Sequence, residues 1–231
     1  MHTSRRNFLK KTALALAGST LLSNEIFAAR NPKELTGVQL YSIRDDMKSD
    51  PLGSLKQLAA MGYKHVEHAN YANRKFYGYG AAEFKKILGD MGMTMPSGHT
   101  VINKTHWNET TKDFTDEWKM TVEDAAIVGQ QFVISPWMDE YYRKTYDDMK
   151  RYMDVYNKCG ELCKKSGMKF GYHNHDFEFS QKLNDQTVFD ILLQNTDPSL
   201  VIQQLDIGNM YNAGAKALDI IVRLFPNSYH K

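Results

Sequence analysis

Histidines and carboxylates recur in this sequence just after short apolar segments. The densest group is Tyr172-His173-Asn174-His175-Asp176-Phe177-Glu178. His173 and His175 are two apart, so on an extended chain both imidazoles point to one face. There they can hold a metal or contact a sugar; the alternative is a pair of surface-loop histidines. Asp206 follows the apolar-rich Leu200 to Gln204 and precedes Gly208. Glu67 and His99 end two further segments, and Trp137 follows Ser135-Pro136. Neutral imidazoles and carboxylates are the ligands of a divalent metal with open positions. They are also the general acids and bases that move protons beside a carbonyl. The candidate catalytic residues are therefore Glu67, His99 and Glu178, although Glu178 by itself reads equally as a loop carboxylate. His173 and Asp206 are candidate metal ligands. Trp137, His175 and Asn209 are candidate substrate contacts, with the Trp137 ring available to stack on a sugar face.

These residues need strands that end together. Strand-like segments are expected at Val38 to Ile43, Tyr63 to Glu67, Met93 to Ser97, Phe132 to Ser135, Lys169 to His173 and Leu200 to Asp206. Helical spacing runs over Leu52 to Met61, Ala81 to Met91, Lys112 to Val128, Asp147 to Lys165, Val188 to Leu193 and Ala215 to Leu224. A phrase of helix, glycine and strand recurs at Met61-Gly62-Tyr63, Met91-Gly92-Met93, Val128-Gly129-Gln130 and Ser166-Gly167-Met168. Glycine just past a helix takes the left-handed conformation that closes the last turn.

Alternating strands and helices with right-handed crossovers make an α/β fold with a parallel sheet. No Gly-x-Gly-x-x-Gly turn follows the first strand, so a dinucleotide-binding fold lacks its signature. The expected architecture is a (β/α)8 TIM-type barrel whose site lies at the C-terminal ends of the strands. Only about six β/α units are visible, and residues 225–231 look like a loop entering a seventh strand. Two sheet edges would then be open, so the chain alone is expected to be poorly soluble and inactive.

Of the 231 residues, 42% are apolar and 24% charged, an ordinary globular composition. A formal net charge of +2 implies no polyanionic partner such as nucleic acid. No Gly-x-Ser-x-Gly elbow or phosphate-cradling P-loop is present. The two cysteines, Cys159 and Cys163, fall on one helix face with Met149, Tyr152 and Tyr156, as buried core residues would. At the N-terminus, Ser4-Arg5-Arg6-Asn7-Phe8-Leu9-Lys10 precedes an apolar run from Thr12 to Leu22 and small residues at Ala28-Ala29. This has the form of a twin-arginine export signal over residues 1–29. The expected location is periplasmic, with membrane contact only through that signal.

The phrases Gly37-Val38-Gln39-Leu40-Tyr41-Ser42, Gly62-Tyr63-Lys64-His65-Val66-Glu67, Gly171 to Phe179 and Leu205-Asp206-Ile207-Gly208-Asn209 resemble the sugar phosphate isomerase/epimerase family. That family lies within the xylose isomerase-like TIM-barrel superfamily. The resemblance runs from about residue 35 to the end. It implies a sugar, polyol or keto-sugar partner and an isomerase or epimerase activity. Dehydratase or lyase chemistry on the same scaffold, or an exported carbohydrate-binding protein without catalysis, are the alternatives. It also implies one divalent metal (Mn, Mg, Co or Zn) held by Glu, Asp, His and Glu at the ends of strands five to eight. The Asp matches Asp206. The strand-five Glu falls near His173, where His173, His175 or Glu178 could replace it. The last two ligands are expected beyond Lys231.

Overall fold

The computed structural model describes residues 37–224. The expected export segment 1–29 and the tail 225–231 lie outside the described residues. Six parallel strands form one sheet: β1 Val38–Gln39, β2 His65–His68, β3 Thr94–His99, β4 Phe132–Ser135, β5 Lys169–His173 and β6 Val201–Gln204. Their spatial order is their sequence order. A doubly wound sheet reverses direction at a switch point; this sheet has none and winds one way, as a TIM-type barrel does. Side chains from opposite parts of the sheet meet inside the curve. Gln204 of β6 reaches Glu67 of β2 and His99 of β3.

Helices α1 Pro51–Ala60, α2 Ala81–Asp90, α3 Asp116–Val128, α4 Tyr146–Lys165, α5 Val188–Asn195 and α6 Ala217–Leu224 alternate with the strands. Asp50 caps α1 through Gly53 N, with Pro51 in the first turn, where its missing N–H costs nothing. Gly62, Gly92, Gly129 and Gly167 all have positive φ, between 69° and 100°, as the recurring helix–glycine–strand phrase predicts. None of the helices among the described residues is long and apolar enough to cross a membrane.

The register assigns each side chain a face. Val66, Val133, Phe170, Tyr172 and Val201 turn outward into helix-packed cores that also hold Leu55, Phe84, Trp118, Met153 and Tyr156. Cys159 and Cys163 are buried there with free thiols, and the Trp118 Nε1–H meets the Cys159 sulfur at 3.1 Å. Gln39, Glu67, Ser97, His99, His173 and Gln204 fall on the inner face through the pairs Gln39–Glu67, Glu67–Ser97 and His173–Gln204.

Several boundaries differ from the sequence expectation. The first strand stops at Gln39, because the Gln39 side chain accepts from Tyr41 N and turns Leu40–Ile43 into a 3-10 helix. The α3 helix starts at Asp116 rather than Lys112. Lys112 has a φ of 52°, and Asp113–Phe114 pair instead with Trp107–Asn108. The last strand ends at Gln204, and an additional short helix, Ile207–Asn212, follows it. A three-stranded antiparallel sheet over residues 71–80 and a hairpin over 182–187 also sit at strand exits. Their turns use paired left-handed residues, Asn73-Arg74, Tyr77-Gly78 and Asn184-Asp185.

One close approach fixes β2 against β3. A Cβ on Gly98 would stand 2.0 Å from the His68 ring and 2.5 Å from Gln130 Nε2. His68 cannot easily move, since it is buried edge-on against Phe76 at 4.8 Å. Gly98→Ala should destabilise the fold by about 1–3 kcal/mol through overpacking. Urea unfolding measures this, and an unchanged midpoint would mean that His68 can leave its place.

Candidate functional site

Inside the C-terminal mouth of the sheet, one hydrogen-bonded network fixes the tautomers of His99 and His173. Glu67 Oε2 accepts from Ser97 Oγ and from Gln204 Nε2, both at 2.6 Å. The donating amide turns Gln204 Oε1 toward two imidazoles, His99 Nε2 at 2.7 Å and His173 Nδ1 at 3.0 Å. Both nitrogens must therefore carry hydrogen. His99 Nε2 also lies 3.0 Å from Glu67 Oε1, while His99 Nδ1 accepts from Gln39 Nε2 at 3.1 Å. That leaves His173 Nε2 with a lone pair, 3.6 Å from Asp206 Oδ2. Burial lowers the His173 pKa, which favours the neutral ring. Two acceptors thus face one another.

Asp206 is held in that place by its second oxygen. Oδ1 caps the helix Ile207–Asn212 by accepting from Asn209 N at 2.8 Å. Asn174 accepts from Asp206 N at 2.9 Å and donates to its carbonyl at 3.0 Å, which ties the β5 exit to the β6 exit. His175 Nδ1 is buried without a hydrogen-bond partner among the described residues, and burial lowers the His175 pKa. The half-exposed Trp137 ring meets His175 edge-on at 5.2 Å.

These groups open on a cavity of about 460 Å³, within the size range of small-molecule sites. Of the expected site residues, His99, Trp137, His173, His175 and Asp206 line it, together with Gln39 and Tyr41. Glu67, Glu178 and Asn209 do not. Glu67 lies beneath His99. Burial pushes its carboxyl up, but the hydrogen bonds from His99, Ser97 and Gln204 outweigh this and hold it below the usual carboxylate range. Asn209 is spent on Asp206 and on the Asn174 carbonyl at 3.2 Å. Glu178 is fully buried behind the cavity wall, where it accepts from the Tyr172 hydroxyl and from His175 N at 2.8 Å. Gln39, Gln204 and Asn174 were not singled out from sequence. Only their even spacing from the inward-facing residues of the same strands could have marked Gln39 and Gln204.

The sequence profile of the xylose isomerase-like TIM barrel matches residues 55–229, well over half of the chain. The chain belongs to this family. A sugar phosphate isomerase/epimerase from Parabacteroides distasonis is similar over 85% of this chain and 73% of its own, at 25% identity and a TM-score of 0.72. A second protein of that description from the same organism gives 28% identity and 0.68, over 83% and 75%. Inosose dehydratase of Clostridium perfringens is 31% identical over 96 residues, 42% of this chain. That match spans 31% of the relative's length.

The divalent metal implied by the family resemblance needs several converging donors. His173 Nε2 and Asp206 Oδ2 are a suitable pair of lone-pair donors. Among the described residues, however, no three His, Cys, Asp or Glu side chains converge on one point. The described residues do not make a metal shell by themselves.

Glu178 makes the site's support depend on pH. Its burial raises the carboxyl pKa to about 7, against 4.5 for a free group, although the bonds from Tyr172 and His175 pull it back. A raised carboxyl pKa means that the folded state holds the proton more tightly. This contribution is complete below about pH 4.5 and is lost as pH rises through about 7. Wild-type stability should fall by on the order of 2–3 kcal/mol from this group between pH 5 and 8. Glu178→Gln, neutral throughout, should flatten that fall. Urea unfolding at both pH values gives the comparison, and parallel curves for the two proteins would remove Glu178 as the cause.

Proposed function

We propose that the protein of which this barrel is part is a sugar isomerase or epimerase that moves a proton at the carbon beside a carbonyl. The observation that carries this reading is the pair of facing acceptors, His173 Nε2 and Asp206 Oδ2, at the mouth of a polar cavity. A sugar hydroxyl beside the pair, facing the cavity, would donate to one of the two. A C–H placed against Nε2 would meet a neutral imidazole with its lone pair free, which is the state a general base needs. Asp206 then stabilises the imidazolium that forms. His175 Nδ1 has no hydrogen-bond partner among the described residues, and a further hydroxyl that reached it would supply one. Trp137 offers an exposed aromatic surface to the apolar face of a sugar ring. Glu67 is too acidic to take protons at neutral pH; it orients His99 as a fixed charge. The two Parabacteroides distasonis relatives support the isomerase assignment. A divalent metal joins this reading only with donors added to His173 and Asp206.

The inosose dehydratase match supports a second reading, dehydration of a keto-sugar. Proton removal beside the carbonyl is common to both. Epimerisation returns a proton to the other face, and dehydration expels hydroxide from the next carbon. Export is part of the proposal too, supported by Arg5-Arg6 and the apolar run after them; a fusion of residues 1–35 to a folded reporter should lose export when both arginines become lysine.

Incubation of the protein with ketoses and keto-inositols in deuterated water separates the reactions. Deuterium retained in an epimer marks isomerisation, and loss of water marks dehydration. His173→Gln should slow exchange by about 10²–10⁴-fold. Because burial lowers the His173 pKa below the ordinary 6.5, the acid limb of kcat/KM should lie below that pH. Tight sugar binding with no exchange would leave a binding protein, and neither binding nor exchange would overturn the proposal.

A further inference from the structure

The cavity at His173 does not end at its own walls. A second hollow of about 640 Å³ shares Ala69, His99 and Val101 with it. One wall of this groove is the turn 70–74 after β2, and the other is the loop 100–106 after β3. Both walls are fixed. Arg74 clasps the buried Asp124 of α3 through two bonds, at 3.0 and 2.7 Å, and Tyr71 donates to the same carboxylate at 2.7 Å. Opposite, Thr100 N bonds the Ile134 carbonyl at 2.8 Å, and the buried Tyr152 hydroxyl bonds the Ile102 carbonyl at 2.7 Å. The groove is thus built before any ligand arrives, which lowers the cost of ordering it on binding.

Its chemistry is that of neutral hydroxyl recognition. The side-chain ends of Asn70, Asn73 and Thr100 line it and make no hydrogen bond within the described residues. The basic groups among its lining residues are already occupied or uncharged. Arg74 is paired with Asp124 and Glu123, and burial lowers the pKa of His106. Among the described residues lining the groove no cation is left unpaired to neutralise a phosphate and the exposed Glu117 carboxylate would oppose one, whereas amides and a hydroxyl suit a polyhydroxylated ring.

We infer that the ligand is larger than a monosaccharide: a neutral glycoside or oligosaccharide whose reacting sugar lies at His173 and whose second sugar unit lies between Asn70 and Thr100. This rests on the sugar-directed reading of the cavity and adds the class of its substrate. The groove makes the loops after β2 and β3 the determinants of length specificity.

Calorimetric titration tests it with D-fructose, D-fructose 6-phosphate and the glucosyl-fructoses turanose, maltulose, leucrose and isomaltulose, which differ only in linkage. At least one disaccharide should bind about tenfold tighter than fructose, a difference worth two or so new hydrogen bonds, and tighter than the phosphate. The double variant Asn70→Leu/Thr100→Val should lose that gain and keep its affinity for fructose, with an unchanged thermal midpoint showing that the fold is intact. Fructose binding as tightly as every disaccharide, fructose 6-phosphate binding tightest, or a gain that survives the double variant would each overturn the inference while leaving the cavity a sugar site. Absence of binding by all six ligands would overturn both.

Discussion

Gln204 is the side chain on which the interior of the sheet depends. It sits on β6, the last strand among the described residues, yet its amide joins Glu67 on the second, His99 on the third and His173 on the fifth. One primary amide has one donating end and one accepting end. Because Glu67 is held ionised, only the donating end can face it, and the accepting end must face the two imidazoles. That single orientation decides the tautomer of both histidines and leaves the His173 lone pair toward the cavity. It also requires the sheet to curve far enough for strands far apart in order to touch. Curvature and chemistry are set by the same contacts.

The strands and helices were legible because their physics is local. Glycines with positive φ stand where the sequence repeats helix, glycine and strand, and strands β4 and β5 fall where their apolar runs predict. Short antiparallel pieces were not legible. A strand of two residues, such as Lys75–Phe76 or Lys182–Leu183, has no periodicity to detect. Only the left-handed turn pairs betray it, and Asn184-Asp185 was the one pair whose residue types favour that conformation. The first strand was overextended for a related reason. Val38 to Ile43 has strand composition throughout, and a side chain accepting its neighbour's backbone N–H is a contact that composition does not reveal.

At the site, residue type and strand exit identified the groups that line the cavity, but not which groups stand behind it. Glu67 and Glu178 look alike in sequence, each a carboxylate near an exit. Their surroundings drive them in opposite directions, one held ionised by an imidazole and two neutral donors, the other pushed toward the neutral form by burial behind Tyr172. Asp206 was legible as a carboxylate before a glycine, but its two oxygens divide between a helix cap and the cavity. That division follows from the helix Ile207–Asn212, which the sequence reading did not contain.

The two ends of the sheet are built to different standards. At the end where helices return to strands, four of the five links are the brief segments 61–64, 91–93, 129–131 and 166–168, each closed by a left-handed glycine, and the fifth, 196–200, is similarly brief without one. At the other end the chain spends residues 69–80, 100–115, 136–145 and 174–187, with the small extra sheets among them. Changes at the tips of the long end that keep Phe76, Ile102, Phe114 and Met138 in the core can leave the packing of the helices in place, whereas the short end has no slack to absorb them. Descent can therefore rewrite what this scaffold recognises by exchanging one rim, while the opposite rim keeps the record of ancestry.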